Sequence, residues 1–378
     1  MKSMIPKRSI CHVTLGHQPT DDRIFYKEIL SLKKKYSNIT VIAPEYPPPD
    51  PQYGVKYKSF QKAGVLKTPY LAYQLAKNEK ADLYHFHEFE FLPFALFLKF
   101  KYKRKVIYDA HETIFWYFID FSRHSKWITV IPGFLAHALE LICAAFMDYI
   151  VATIFIAPWF HPFKKRFAKL YNYPDISFWS GQNTDVGRKK NPLILYHGQL
   201  VPARKIELMI QAMQFVKSRF PDAKLLIVGR ASGEYAAVLK DIIRKYRLQD
   251  VVELRQPIPY ESVPALLAPA CIGISALTPN KSFRHSLQIK PFEFMAMGIP
   301  VLGCRVPSIE YYVERSGAGA IVDPVTPENI ARVLNNLLAH PEKRVEMGMN
   351  GHRIVREKYN WAVMEKRLFA IYETLLKC

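Results

Sequence analysis

One short stretch of the chain combines charged side chains with turns that would place them at a binding site. It is Lys290-Pro-Phe-Glu-Phe-Met-Ala-Met-Gly-Ile-Pro-Val301, in which a turn precedes a predicted helix and Gly298-Ile-Pro300 starts a strand. Glu293, in the first turns of that helix, can accept hydrogen bonds from both hydroxyls of a ribose, while free N–H groups at the helix start hold phosphate. The alternative is that Glu293 only complements the helix dipole, worth roughly 0.3–1 kcal/mol.

A second group of polar side chains follows predicted strands in the N-terminal half. His111 comes just after the strand Lys105–Tyr108, and His85 and His87 close the strand Leu83–Phe86. Neutral imidazole both donates and accepts hydrogen bonds, which suits His111 to a polar ligand. The alternative is a histidine packed beneath the site. His85 and His87 lack further metal ligands at a recognisable spacing, so no metal site is predicted.

Short apolar runs alternate with longer helical patterns, which predicts parallel sheets covered on both faces. One expected helix runs from about Asp22 to Tyr36, with Arg23 and Lys27 on its polar side. The predicted strands are Ile10–Leu15, Ile39–Ala43, Val55–Phe60, Leu83–Phe86, Lys105–Tyr108, Tyr149–Thr153, Leu193–His197, Lys224–Val228, Val251–Leu254, Ile272–Ser275, Ile299–Gly303 and Ala320–Val322.

The turn-rich stretch Leu170–Lys190 is predicted to be a linker between two doubly wound α/β units. We therefore expect an N-terminal domain over 1–180, a C-terminal domain over 181–358 and a final helix over 359–378. Ligands of such sheets bind outside the carboxyl ends of the strands, so a cleft between the two domains is the expected site. Gly16, in the turn after the first strand, would let the backbone approach phosphates.

The amino-acid composition of the chain restricts the classes of binding partner that are expected. The chain of 378 residues has 53 Lys and Arg against 33 Asp and Glu, a charge balance that favours polyanions. Its five scattered cysteines have no metal or redox spacing, and the apolar run at the N-terminus is too short for a secretory signal, so a cytoplasmic protein is predicted. No helix-turn-helix, zinc-finger or RNP-like signature is present, and nucleic acid is not an expected partner.

The stretch Ile128–Met147 is long and apolar but contains Pro132 and Glu140. A charged residue near the centre of a spanning helix costs roughly 2.5–3.5 kcal/mol, so we expect a buried core helix that does not span a membrane. Basic clusters around Lys101 and Lys164 favour an alternative, peripheral contact with an anionic membrane. A merely solvated basic face would show the same sequence pattern.

Several motifs in order resemble family 4 retaining glycosyltransferases, which have the GT-B fold. The resemblance covers essentially the whole chain. It is carried by Lys290–Val301, Tyr196-His-Gly198 with Arg204, Leu225–Gly229, Val322-Asp-Pro324, Tyr359-Asn-Trp361, Asp82–His87 and Val106–Glu112. Asp22–Glu28 also matches a subset whose members build bacterial surface polysaccharides. The resemblance implies two Rossmann-like domains facing a cleft, with C-terminal helices packing back toward the first domain.

The same resemblance implies roles for individual residues. The nucleotide and diphosphate would be bound by Gly16, Gly198, Arg204, Lys205, Gly229, Lys290 and Glu293, and the catalytic group would be His111, Glu112 and His285. Two positions depart from the family: His285 stands where a second glutamate often contacts the transferred sugar, and Lys205 replaces a glycine. Asp-x-Asp, the metal-binding pair of the other large glycosyltransferase fold, does not occur in the sequence.

The predicted function is a retaining, metal-independent glycosyltransferase of surface polysaccharide synthesis that needs no cofactor. Its donor would be a UDP- or GDP-sugar, its acceptor a lipid-linked molecule or oligosaccharide, and its location the cytoplasm or the inner face of the plasma membrane. Two alternatives stay open: an epimerase of the same fold that acts on nucleotide-sugars, and a non-catalytic membrane-associated subunit of a polysaccharide assembly complex.

Overall fold

The computed structural model describes residues 8–121, 126–179, 192–277 and 280–377. The chain divides into two compact units. The first contains Met1–Asn172, His285–Leu287 and Trp361–Cys378, and the second contains Tyr173–Arg284 and Gln288–Asn360. The final helix is therefore part of the first unit, although the chain reaches it from the second.

The first unit is built on a parallel sheet with the strand order β3-β2-β1-β4-β5-β6-β7. Its strands are β1 Ser9–Val13, β2 Asn38–Pro44, β3 Lys56–Phe60, β4 Leu83–Phe86, β5 Lys105–Ala110, β6 Tyr149–Ala152 and β7 Phe167–Lys169. Six of these were predicted within two residues at either end. The strand β7 was missed because three half-buried residues beside a basic run do not make an apolar pattern.

The second unit repeats this arrangement with the parallel order β10-β9-β8-β11-β12-β13. Its strands are β8 Leu193–His197, β9 Lys224–Val228, β10 Val252–Arg255, β11 Ile272–Ser275, β12 Val301–Cys304 and β13 Gly319–Val322. In both sheets the order reverses beside the first strand of the unit, between β1 and β4 and between β8 and β11. Ligands bind at such reversal points. The two α/β units confirm the predicted fold class.

Helices cover the sheets. They are α1 Leu30–Lys33, α2 Lys67–Glu79, α3 Leu92–Phe100, α4 Ile114–Phe121, α5 Lys126–Ala144, α6 Ile176–Trp179, α7 Ile206–Arg219, α8 Gly233–Lys245, α9 Val263–Leu267, α10 Lys281–His285, α11 Lys290–Ala296, α12 Pro307–Ile309, α13 Pro327–Ala339, α14 Pro341–Glu357 and α15 Trp361–Leu376. A π-helix, Ile24–Ile29, precedes α1, so the predicted helix from Asp22 to Tyr36 is shorter and irregular.

Two cations that were expected on the polar side of that helix are buried. Arg23 is 3% exposed and Lys27 is 1% exposed. Arg23 forms ion pairs of 2.9 Å with Glu28 and 2.6 Å with Asp109, and Lys27 donates to Asn172. Buried charges are tolerated when partners of opposite charge or good hydrogen bonds compensate their lost hydration. Local helical periodicity cannot reveal such partners.

The prediction that Ile128–Met147 forms a buried core helix is wrong. In α5, Ile131 is 66% exposed and Phe134 is 63% exposed, whereas Glu140 is 1% exposed. Glu140 faces inward because it accepts hydrogen bonds of 2.8 Å from the Tyr108 hydroxyl and pairs at 2.8 Å with His137. The polar residue thus lies inside and the apolar face outside. Across the described ranges, none of the helices combines the length and apolarity needed to cross a bilayer.

Candidate functional site

The charged residues of the Lys290–Val301 stretch come together in the second unit. Glu293 is 2% exposed, and its Oε2 lies 3.1 Å from Lys290 Nζ and 3.1 Å from His197 Nε2. Burial lowers the pKa of His197, and the nearby Lys290 charge lowers it further. A neutral imidazole and an ammonium therefore flank one carboxylate. Lys290 is 37% exposed and can still reach a ligand.

Two glycines beside this group allow neighbouring backbone segments to approach each other closely. A Cβ on Gly229 would lie 1.8 Å from the Gly198 carbonyl oxygen, and the Gly198 N–H donates to Val228 at 3.0 Å. A Cβ on Gly198, whose φ is +136°, would lie 3.4 Å from Lys290 Cε. The ends of β8 and β9 therefore approach each other beside Lys290 only because neither residue carries a side chain.

The helix that carries Glu293 also depends on a glycine. A Cβ on Gly273 in β11 would lie 2.3 Å from the ring of Phe294. Phe294 is fully buried, so the ring takes the space above the sheet that a side chain would fill. This packing sets α11 against β11 and holds Glu293 and Lys290 at the carboxyl ends of the strands.

The basic residues predicted for the diphosphate lie in the same unit. Arg204 donates to Gln288 Oε1 at 2.6 Å and stacks over Phe283, 4.9 Å from the ring centroid. Lys205 immediately precedes α7 and has φ +56°, in the left-handed region. The family resemblance implies glycine at that position, and this backbone conformation supplies the physical reason. A lysine there carries strain of roughly 1–2 kcal/mol.

In the first unit, His111 lies at the end of β5 in a charged cluster. Its Nε2 is 2.5 Å from Arg23 Nη1, 3.2 Å from Asp109 Oδ2 and 3.3 Å from His87 Nδ1. Arg23 and Asp109 are almost completely buried, whereas the His111 side chain is 14% exposed. Burial lowers the pKa of His111, as does Arg23, while Asp109 opposes them. The imidazole is therefore neutral.

A chain of buried polar side chains extends from this cluster to α15. His87 Nε2 lies 3.2 Å from His12 Nδ1, His12 Nε2 lies 3.2 Å from the Tyr372 hydroxyl, and that hydroxyl lies 2.9 Å from His85 Nδ1. Burial lowers the pKa of His12, His85 and His87. The last helix thus contributes a side chain to the polar centre of the first unit.

Four residues of this centre could geometrically hold a metal ion. One ligand atom from each of Glu28, His85, His87 and Asp109 lies within 4.8 Å of the others. The Arg23 guanidinium, however, already pairs with both carboxylates. A cation bound among the four would meet this fixed positive charge, so the donor set does not favour a metal.

The backbone N–H groups at Gly16, which were expected to bind phosphate, instead donate hydrogen bonds to a protein carboxylate. Glu88 Oε1 accepts from the Gly16 N–H at 2.9 Å and from the Thr14 hydroxyl at 2.6 Å, and Glu88 Oε2 accepts from the Leu15 N–H at 2.8 Å. A phosphate at these N–H groups would have to displace Glu88. The phosphate role of Gly16 remains a prediction.

The other two predicted catalytic residues lie in different surroundings of the first unit. Glu112 is exposed, next to His111 in sequence. His285 ends α10, and its ring lies 6.2 Å from Trp116 in a stacked arrangement and 5.7 Å from Trp159. Its carbonyl accepts from the Ile156 N–H at 3.0 Å. The His285 ring thus lies near two indoles of the first unit.

Sequence reasoning missed Arg23, Asp109 and His197 as site residues, although all three lie inside recognised motifs. Asp109 and His197 stand next to predicted strand ends, and the position alone was a usable signal. For Arg23 the local pattern indicated a solvated helix face. Two of its partners, Asp109 and His111, are 86 and 88 residues away in sequence, and local periodicity does not reveal them.

Comparison with known proteins agrees with this geometry. Residues 182–353 match the family model described as glycosyl transferases group 1. The chain is 27% identical over 197 residues to a GDP-mannose-dependent alpha-(1-6)-phosphatidylinositol monomannoside mannosyltransferase of Mycolicibacterium smegmatis. This alignment covers 52% of this chain and 51% of that protein. Over 189 residues it is 24% identical to an alpha-D-kanosaminyltransferase of Streptomyces kanamyceticus, 50% of this chain and 47% of that one. The chain thus matches about half the length of these curated relatives.

Solved structures resemble the chain over almost its whole length. Sucrose-phosphate synthase from Thermosynechococcus elongatus has a TM-score of 0.74 at 15% identity, with 98% of this chain and 100% of that chain covered. Anabaena HepE in complex with UDP and glucose has a TM-score of 0.74 at 16% identity, with the same coverage. The shared architecture is that of the GT-B glycosyltransferases. Residues 182–353 of this chain are thus similar to the group 1 glycosyl transferases, in line with the family 4 resemblance of its motifs, and the whole chain shares the GT-B fold.

Proposed function

We propose that the protein transfers a sugar, with retention of anomeric configuration and without a metal ion, from a UDP- or GDP-sugar to a lipid-linked or oligosaccharide acceptor. The observation that carries this proposal is the buried Glu293 carboxylate, held by Lys290 and His197 beside the Gly198–Gly229 approach. A carboxylate fixed in this way is suited to accept from both ribose hydroxyls. In our proposal Lys290 contacts the diphosphate that is attached to this ribose.

The positive side chains of the second unit support departure of the diphosphate. Lys290, Arg204 and Lys205 belong to that unit, and Arg204 is oriented by Gln288 and Phe283. Negative charge develops on the leaving diphosphate, so preorganised cations stabilise the transition state more than the ground state. This is the physical basis for a transfer that proceeds without a metal.

The names of similar proteins support the donor class. A mycobacterial relative is described as GDP-mannose-dependent, and structures of Anabaena HepE contain UDP or UDP-glucose. In our proposal the first unit presents the acceptor, and His111 contacts the sugar or the acceptor hydroxyl with a neutral imidazole. The biological role that we propose is the synthesis of a bacterial surface polysaccharide.

The first unit also offers a surface for a membrane-bound acceptor. We call it the α3–α5 face; it consists of Phe97, Phe100, Ile128, Ile131, Phe134, Leu135, Ile142 and Phe146, all about half exposed or more. Exposed Lys101 and Lys103 follow α3 directly. Apolar side chains beside lysines suit the boundary of an anionic bilayer, where each basic residue contributes roughly 1 kcal/mol. We propose peripheral attachment at the cytoplasmic side of the plasma membrane.

A turnover assay tests the proposed transfer. Purified protein is incubated with UDP- or GDP-sugars, with and without extracted polyprenyl-linked or oligosaccharide acceptors, and free nucleoside diphosphate is measured. Release that requires both an acceptor and Glu293 supports the transferase. Epimerised nucleotide-sugar formed without acceptor would identify an epimerase instead. Full complementation of a deletion strain by Glu293→Ala would point to a non-catalytic subunit.

A further inference from the structure

The contact between Arg23 and His111 restricts how His111 can act. Arg23 Nη1 lies 2.6 Å from Asp109 Oδ2 and 2.5 Å from His111 Nε2. A guanidinium in a protein is always protonated and offers only donors. Two N–H groups cannot face each other at this distance, so His111 Nε2 accepts the hydrogen bond and carries no proton.

We infer that Arg23 is a positioning residue that locks His111 as the neutral Nδ1–H tautomer, which makes His111 a hydrogen-bond donor, and not a base, toward the substrate. Nε2 faces the buried cluster and its lone pair is engaged by Arg23. Among the described residues, Nδ1 of His111 has no hydrogen-bond partner in the protein. The inference rests on the proposed function for the statement that this nitrogen meets substrate.

The buried chain behind His111 fits the same tautomer. Because Nε2 of His111 already accepts from Arg23, the Nδ1–H of His87 donates to Asp109 Oδ2, 3.3 Å away. His87 Nε2 then accepts from His12 Nδ1, and His12 Nε2 accepts from the Tyr372 hydroxyl. Tyr372 in turn accepts from His85 Nδ1. In this arrangement His12, His85 and His87 also carry their proton on Nδ1, and the donors of these three histidines and of Tyr372 each meet an acceptor.

The charges around His111 keep it neutral. The groups that face it are Arg23 from the π-helix, Asp109 from its own strand, His87 from β4, and His17 and Asp21 from the segment after β1. Burial lowers the pKa of His111 and the Arg23 charge acts in the same direction, whereas Asp109 raises it. Loss of Arg23 leaves Asp109 without its cation, so the pKa of His111 rises.

The consequence for the reaction is specific. A proton that leaves the acceptor hydroxyl cannot pass to Nε2 of His111, because that atom is buried and already accepts. Nδ1–H can stabilise developing negative charge on a sugar or leaving-group oxygen. The proton must therefore go to another acceptor, and the departing diphosphate oxygen is the acceptor that the proposed function supplies.

Side-chain NMR on the unmodified full chain tests the tautomer directly. Long-range ¹H–¹⁵N correlation spectra of protein labelled in histidine report which ring nitrogen is protonated, and His111→Gln identifies the His111 signals by their loss. We expect a protonated Nδ1 and an unprotonated Nε2 near neutral pH. A protonated Nε2, or an imidazolium, overturns the inference. This measurement needs no activity, so it separates the inference from the proposed function.

Variants of Arg23 test the dependence on the guanidinium. In Arg23→Met we expect the NMR-measured pKa of His111 to rise and the acidic limb of the pH–kcat profile to move to higher pH, with KM changed less than kcat. Arg23→Lys, which keeps a charge, should shift both less. The control is Arg244→Met, on an exposed arginine of α8. An unchanged His111 pKa and pH profile in folded Arg23→Met overturns the role of Arg23. If neither variant folds, the spectrum of the unmodified protein decides.

Discussion

At the scale of single residues, the second unit pairs one buried carboxylate with two nitrogen groups. Glu293 could have been only a helix-start acid, the alternative that the sequence left open. Its 2% exposure and its two 3.1 Å neighbours place it instead in a polar pocket of the strand ends. A carboxylate that only complemented a helix dipole would gain little from such burial, because losing its hydration costs more than the dipole contributes.

Replacing Glu293 should therefore affect the ligand. We expect Glu293→Gln to weaken binding of the nucleoside diphosphate by roughly 1.5–3 kcal/mol, the value of a hydrogen bond to a charged group. That corresponds to about a 10- to 150-fold higher Kd by titration calorimetry. The matched control is Glu328→Gln, an exposed acid in the first turn of α13. Equal affinities for both variants and the unmodified protein would remove Glu293 from the ribose role.

Lys205 allows strain and charge to be separated. Its backbone is left-handed, with φ +56°, so Lys205→Gly should raise the free energy of unfolding by roughly 1 kcal/mol in urea titrations. Lys205→Ala removes the ammonium but keeps the strain, and is the control. If Lys205 binds the diphosphate, both variants lose donor affinity. Lower stability of the glycine variant than of the alanine variant would contradict the strain argument.

At the scale of elements, α5 has its polar residue inside and its apolar residues outside. Glu140 is held by Tyr108 and His137, which fixes the rotation of the helix about its axis. Gly133 lets α5 pack closely on α4, since a Cβ there would lie 3.1 Å from Phe118. The outward apolar face is thus a consequence of the contacts on the inward face.

Charges placed on that face should abolish membrane attachment without unfolding the protein. In the double variant Ile131→Asp and Leu135→Asp, both side chains replaced are 60% exposed or more, so folding should persist. We expect sedimentation with vesicles that contain phosphatidylserine or phosphatidylglycerol to fall to background. The control is Met349→Asp, 59% exposed on α14 of the second unit. Binding that persists in the double variant, or that needs no anionic lipid, would contradict the proposal.

At the scale of the whole molecule, one architecture occurs twice in the chain. Each unit has a parallel sheet whose order reverses at its first strand, and each places its charged cluster after strands of that sheet. The clusters differ in kind. The second unit carries Lys290, Arg204 and Lys205, which suit phosphates, and the first carries histidines and an arginine that is neutralised by carboxylates.

The cations of the second unit should make a metal unnecessary for transfer. We expect turnover of donor and acceptor to be unchanged in EDTA, because side-chain cations stabilise the leaving diphosphate. Measurement of initial rates before and after chelation, followed by addition of manganese, checks this. Rates that vanish in EDTA and return with manganese would establish a metal-dependent site. Donor binding measured in the same buffers distinguishes a binding defect from a catalytic one.

Much of this protein was predictable from its sequence alone. The strands β4, β8, β9 and β11 have the predicted bounds, because buried apolar runs and the turns beside them are local signals. The fold class followed from their alternation with helical patterns. Lys290 and Glu293 were predicted together for the same reason, since two residues three positions apart on one helix are neighbours in any fold.

Only the tertiary structure decided which distant residues complete the two clusters and which side of α5 faces outward. Arg23 reaches His111 across 88 positions, and Tyr372 reaches His12 across 360. A local pattern places Arg23 on a solvated face, because it contains no information about a carboxylate on another strand. Burial of a charge becomes favourable only when the fold supplies its partner, and that partner exists only in the folded chain.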